Sequence, residues 1–370
     1  MTEPDATPPS RRRRDDRSGA GAGPGAGAGA QNEQHEHRPA PAHAAGRPEA
    51  ADETTTRAAH TRARRTPDGR RTTDGGRTDG GRPRGRHSGG VDDRFTATEE
   101  ALGALAVDGA GVSASVIDTS TGKALLAIDD RLVQPVGTLG RVLLLIEVAA
   151  QLQEGRLHGD RLQRMARDTA TGAGLWQFLQ EPVMQVSDLA TLVGATADAW
   201  ATNALLTTVG IDAVRARAES LGIDRTALID RVRDRRGPDD APDVSVAAAR
   251  ELAWLFRGLA LGEVVDDAVS NRVLGWCSLA ADLSLVAGAF GLDPLAHRAL
   301  DHGLQSVAVT GAGAGVRAEA GILRGPGSSV SYAVTVTFTD DSLQRRLAVV
   351  EALRTMGTDV LEVVHARARR

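Results

Sequence analysis

Apolar positions along the chain fall into distinct regimes. From residue 2 to residue 90 there are none: Val, Ile, Leu, Met, Phe, Tyr, Trp and Cys are all missing. From about residue 91 they return at regular spacings. Phe95 to Leu105 repeats with a helical period, and Thr96 or Thr98 with Glu99 and Glu100 supplies the start signal of an amphipathic helix. Gly111–Ile117 alternates, residues 118–123 read as a turn, and Ala124–Ile128 alternates again, which predicts a hairpin. Thr138–Leu152 is apolar on nearly every side and predicts a buried helix.

Further helices are predicted at Val186–Val193, Ala199–Thr208, Ile211–Leu221, Val246–Ala260 and Asp266–Cys277. Strands follow at Gln305–Thr310, Arg317–Leu323 and Ser331–Thr339, and Leu343–Arg367 reads as a closing helix. Strands, then helices, then strands and a helix predict an α+β fold. Both ends of residues 91–370 would build one sheet lobe (about 91–135 and 300–370), with a helical lobe at about 136–299.

Residues 1–90 have nothing to bury, so ordering their backbone would go uncompensated, and a disordered tail is expected. The tail holds 17 Arg against 12 Asp and Glu. Its Gly/Ala repeats and the two Thr-Asp-Gly-Gly-Arg copies are compositional. A solvated extension is the simplest reading. Nucleic-acid binding is disfavoured, because the arginines are interleaved with acids and no aromatic ring is available for base stacking; if it occurs, this arm is its only route. A start nearer Val91 would remove the tail altogether. Arg11–Arg14 lacks the apolar stretch an export signal needs, and no uncharged apolar run is long enough to span a membrane. The expected location is therefore cytoplasmic.

Two counts restrict the chemistry. The chain has one lysine, Lys123, and one cysteine, Cys277. An internal disulfide is impossible, and so is any mechanism that needs two lysines. His158, His297, His302 and His365 lack metal-ligand spacing, so no metal site is expected. Cys277 beside Trp276 reads as core, as do Trp176, Trp200 and Trp254. Gly311–Gly315 follows a strand without a helix after it, so it is not a phosphate loop, and no cofactor is implied.

Several strings, in order, resemble the class A β-lactamase and penicillin-binding-protein-like serine hydrolases. Residues 116–123 are similar to the family's opening hairpin and residues 135–144 to its nucleophile helix. Residues 171–175 and 187–190 lead into residues 197–206, which are similar to the second motif. Val309-Thr310-Gly311 and residues 315–321 resemble the third-motif strand and its neighbour. The resemblance covers roughly residues 95–367. It implies a class A β-lactamase-like fold and three catalytic motifs, S-x-x-K, S-D-N and K-T-G.

The motif positions are largely replaced. The first reads Thr138-Leu139-Gly140-Arg141, the second Ala197-Asp198-Ala199, the third Val309-Thr310-Gly311. Thr138, Arg141 and Asp198 thus stand at the resemblance's catalytic positions. Thr310 and Gly311 stand at its substrate-binding positions, and Trp200, which directly follows the second motif, is a further substrate-binding candidate that would fill the cleft. A guanidinium cannot be tuned to neutrality as a lysine can, so Arg141 is no base. The loop at residues 228–243 lies where the family's omega loop contributes a deacylating glutamate. No Glu occurs there; Asp230, Asp234, Asp239, Asp240 and Asp243 are expected to pair with the loop's arginines. The expectation is a β-lactamase-like domain that has lost hydrolysis and acts as a ligand-binding or interaction pseudoenzyme. A β-lactam or peptide-like ligand in the cleft is the partner the resemblance implies. The rival is an active β-lactamase or acyl hydrolase with Thr138 as nucleophile.

Overall fold

The computed structural model describes residues 93–164 and 173–366. The expected tail, the first two residues of the 171–175 string and Arg367 lie outside these. In chain order the elements are α1 (Thr96–Val107), β1 (Gly111–Asp118), β2 (Ala124–Ile128), β3 (Val133–Pro135), α2 (Arg141–Gln153), β4 (Leu162–Arg164), β5 (Val183–Gln185), α3 (Val186–Thr196), α4 (Ala199–Val209), α5 (Ile211–Ser220), β6 (Ala227–Leu228), β7 (Ser245–Ala248), α6 (Ala249–Leu261), α7 (Asp267–Cys277), β8 (Gln305–Gly313), β9 (Val316–Arg324), β10 (Ser329–Thr337) and α8 (Leu343–Ala366).

Five strands form an antiparallel sheet in the order β2-β1-β10-β9-β8. Both ends of the described chain meet in it, where Gly111 pairs with Thr337 and Asp118 with Val330. The β8–β9 hairpin turns at Gly315, whose φ of 64° lies in the left-handed region that glycine adopts freely. Strand alternation divides the core in two. Val307, Val309, Ala318, Ala320, Ile322 and Ala333 face the helical lobe. Ala308, Leu323, Val330, Tyr332, Val334 and Val336 face α1, α8 and the 3-10 turn at Val286–Phe290. The α+β architecture with a sheet drawn from both ends matches the expectation.

Three sequence readings are corrected. Val246–Ala248 belongs to β7, paired with β3 and β6, so α6 begins only at Ala249. Thr138 precedes α2, in a turn closed by Arg141 N–H donating to the Thr138 carbonyl at 3.1 Å. Trp254 is 44% exposed instead of core, with the Arg257 guanidinium 5.0 Å from its ring centroid. Cation–π stacking and a solvated edge suit an indole on the outer face of an amphipathic helix.

One carboxylate lies inside the second core. Glu319 on β9 is fully buried. Its Oε1 accepts from the Tyr332 hydroxyl at 2.7 Å and from Ala287 N–H at 2.9 Å, while Oε2 finds no partner among the described residues. Burial pushes its pKa up to about 7, partly offset by the hydrogen bond from Tyr332.

Candidate active site

The turn at residues 136–140 is pinned from below by Ser245 on β7. Its hydroxyl donates to the Gly137 carbonyl at 2.6 Å and accepts from Gly140 N–H at 3.1 Å, and the Ser245 carbonyl accepts from Val136 N–H. On the other side the turn lies directly against β8. Gly137 has φ 58°, and a Cβ there would fall 2.5 Å from the Ala312 carbonyl oxygen. A Cβ on Gly311 would collide with the Val136 carbonyl. Glycine at both positions permits a backbone-to-backbone approach that no other residue allows.

Arg141 begins α2 and is 3% exposed. Its guanidinium fans out to three elements. Nε donates to the Val193 carbonyl on α3 at 3.1 Å, and one terminal nitrogen donates to the carbonyls of Thr138 (3.2 Å) and Thr310 on β8. The same nitrogen lies 3.4 Å from Thr138 Oγ1. No carboxylate forms an ion pair with it among the described residues; its hydrogen bonds run to backbone carbonyls and the Thr138 hydroxyl. Burial lowers its pKa to about 10, with Cys277 and the field of Asp282 opposing. It therefore remains a cation at neutral pH. Cys277 is fully buried, and burial pushes its thiol up to about 12.

Thr138 is half-buried. Among the described residues its hydroxyl has one hydrogen-bond partner, Arg141, which is a donor without a lone pair. Arg141 and Thr138 do meet, as an i, i+3 spacing predicts, but through a turn and not on a helix face.

Asp198 caps α4. Oδ1 accepts from Ala201 N–H at 2.9 Å, and Oδ2 accepts from Trp176 N–H at 2.7 Å. Gly174, with φ 114°, packs against it so closely that a Cβ would fall 2.5 Å from the Asp198 Cα. Both carboxylate oxygens thus serve backbone donors. The preceding Ala197 holds a left-handed backbone (φ 52°, ψ 38°) at the end of α3. Trp200 is 9% exposed and belongs to the helical-lobe core. Thr310 is 8% exposed, and its carbonyl faces Arg141.

Sequence reasoning missed Asn203. Its amide clamps the loop after β6: Oδ1 accepts from Val232 N–H and Nδ2 donates to the Val232 carbonyl, each at 2.9 Å. The clamped residue is valine, packed against the helical-lobe core. An Asn next to the apolar run Ala204-Leu205-Leu206 was the available signal. Two of the loop's acids, Asp230 and Asp240, pair with its arginines. Asp230 accepts from Arg233 (2.9 Å) and Arg236 (2.7 Å), and Arg233 also reaches Asp240 at 3.3 Å. Burial works against the Asp230 anion, but the bonds from Arg233, Arg231 N–H and Arg236 hold its pKa below the usual value.

The beta-lactamase enzyme family matches residues 97–364. The chain belongs to that family. Solved structures give the same fold. A beta-lactamase from Sphaerobacter thermophilus DSM 20745 aligns with a TM-score of 0.63 at 19% identity, covering 74% of this chain and 98% of that one. PBP-A aligns with a TM-score of 0.61 at 18% identity, covering 76% and 99%. A PBP-A mutant solved as an acyl-enzyme complex with penicillin-G aligns with a TM-score of 0.59 at 17% identity, covering 75% and 97%. No curated protein matches. Within this beta-lactamase-family scaffold, Thr138, Arg141 and Thr310 meet at one short turn, whereas the side-chain bonds of Asp198 run to Ala201 and Trp176. Val309 and Gly311 face the helical lobe from β8, whereas Trp200 is absorbed into the core. No helix among the described residues is long and apolar enough to cross a membrane.

Proposed function

We propose that this beta-lactamase-family protein does not hydrolyse β-lactams and works as a ligand-binding or interaction pseudoenzyme. The observation that carries this reading is the single partner of Thr138 Oγ1. A hydroxyl nucleophile must pass its proton to a base as it attacks. Thr138 instead faces a guanidinium that can only donate and whose pKa of about 10 keeps it charged. Among the described residues, the other motif positions supply no acid–base group either. Ala197 has no proton to shuttle, and Val309 has no charge for a substrate carboxylate. Asp198 is committed to capping. In disabled serine-protease triads, loss of nucleophile or base removes roughly six powers of ten in kcat.

Arg141 has a different use. It ties the turn, α3 and β8 together across what would be the cleft, which supports a shape held rigid for recognition. The cleft's occupant is proposed as a small β-lactam-like or peptide-like molecule held without turnover.

Penicillin-G is the appropriate probe, since it acylates a structurally similar PBP-A mutant. The full chain is incubated with penicillin-G and followed by intact-mass spectrometry, alongside nitrocefin turnover, with Thr138→Ala as control. The expected result is no adduct and no turnover above the control. An adduct on Thr138 that forms and clears over repeated cycles would establish the rival, a working hydrolase with a threonine nucleophile.

A further inference from the structure

The 3-10 turn at Val286–Phe290 is fastened to the sheet through one buried carboxyl. Val286, Ala287 and Phe290 are buried in the second core, and the turn itself carries no charged residue. Ala287 N–H donates to Glu319 Oε1 at 2.9 Å. Tyr332 completes the unit: its hydroxyl donates to the same oxygen at 2.7 Å, and its ring meets Phe290 edge-on, with centroids 6.3 Å apart. On the far side a Cβ on Gly357 of α8 would collide with the Val286 carbonyl, so helix and turn touch backbone to backbone.

The charged groups on the elements packed around Glu319 are occupied or of the wrong sign. Asp282, four residues before the turn, opposes ionisation through its field. On α8, Arg354 donates to the Ser284 carbonyl at 3.2 Å, and Asp359 accepts from Thr98 on α1. On β9, Arg317 donates to the Gly313 and Val316 carbonyls. β8 places the neutral Thr310 opposite Glu319 in the ladder. Burial outweighs the hydrogen bonds from Tyr332, Ala287 and Val286, so the carboxyl keeps its proton up to about 7.

A carboxylate formed there either stays dry with Oε2 unmatched or gains water by moving a neighbour. The neighbours are unequal. β8, β9 and β10 are nine-residue strands of one ladder, and α8 has 24 residues. The turn has five residues and no side-chain cap. Short 3-10 pieces have poor hydrogen-bond geometry, and local opening begins in weakly held elements.

We propose that Val286–Phe290 is a proton-operated latch: closed over Glu319 while the carboxyl is protonated, and opened to let water reach the carboxylate once the proton leaves. The latch adjoins the candidate site. Ala281 N–H donates to the Ala195 carbonyl near the end of α3, and the field of Asp282 also reaches Arg141.

The test is amide hydrogen exchange of the full chain at pH 5, 6, 7 and 8, corrected for the intrinsic rate at each pH. Peptides covering the turn are compared with peptides covering β10. An opening that releases one proton grows with pH between about 4.5 and 7 and then levels off. Protection of the turn should therefore fall at least about twentyfold from pH 5 to pH 8. The fall should persist in 1 M urea, because a five-residue opening exposes little surface, and β10 should stay better protected at every pH. Glu319→Gln should hold the turn's protection constant over the series, and Asp282→Asn should keep most of the fall. Turn protection that ignores pH in the wild type overturns the latch. So does exchange of the turn and β10 together with a shared urea dependence, which is global unfolding, or an undiminished fall in Glu319→Gln. The wild-type comparison decides by itself should a variant not fold.

Discussion

Replacing Glu319 by Gln should abolish one pH dependence of folding. The wild-type carboxyl is fully buried and its pKa is pushed from 4.5 up to about 7. In the unfolded chain it ionises near 4.5, so between these two values the folded state holds a proton that the unfolded state has lost. Stability then falls as pH rises. It is greatest below about 4.5, declines through about 7, and is flat above. At about 1.4 kcal/mol per pH unit the full loss is roughly 3 kcal/mol. The amide introduced by Glu319→Gln cannot ionise, and its carbonyl can still accept from Tyr332 and Ala287. The assay is urea unfolding of both proteins at pH 5, 6, 7 and 8, read as the difference between them, because other carboxylates titrate alike in each. At pH 5 the two should agree within about 1 kcal/mol. At pH 8 the variant should be the more stable by about 2 kcal/mol. A difference that stays constant from pH 5 to pH 8 would show that Glu319 is not held neutral by its surroundings, and the reasoning would fail.

Other consequences can be measured directly. Asp198→Ala strips two buried backbone N–H groups of their acceptor and should cost about 3 kcal/mol in urea unfolding, with no effect on nitrocefin turnover. Gly311→Ala drives a methyl group into the Val136 carbonyl and should cost at least about 3 kcal/mol or prevent folding, visible in the thermal midpoint. The Cys277 thiol, buried and pushed up to about 12, should react with a disulfide reagent at pH 8 at least a hundredfold more slowly in the native protein than in urea. Thr138→Ser combined with Arg141→Lys should still give no nitrocefin hydrolysis, because Ala197 and Val309 leave the other proton and charge positions empty.

Much of the architecture could be read from periodicity. The hairpin of β1 and β2, the all-round apolar α2, and the three long C-terminal strands each carry enough residues for their period to show. β3, β6 and β7 do not. They are two to four residues long, and Val246–Ala248 reads as the start of an Ala-rich helix until β3 pairs with it. The site was legible as identities but not as contacts. Arg141 is visibly unable to act as a base, yet its acceptors lie on α3 and β8, 52 and 169 residues away. The Asn203 clamp likewise spans 29 residues. Trp254 misled because an indole on an amphipathic helix is counted as core unless a cation such as Arg257 is seen stacking on its outer face.

The three carbonyls gathered by Arg141 make the family's proton chemistry hard to install one step at a time. A lysine at position 141 has a single terminal nitrogen and lacks the planar fork that now serves α3, the turn and β8 together, so some of those oxygens would be left dry and unmatched. The family's usual residue would therefore be harmful before it could be useful, until neighbouring positions changed in concert. The fork thus acts as a ratchet: a side chain standing where a proton carrier belongs has become a strut, and the fold around it now resists its exchange.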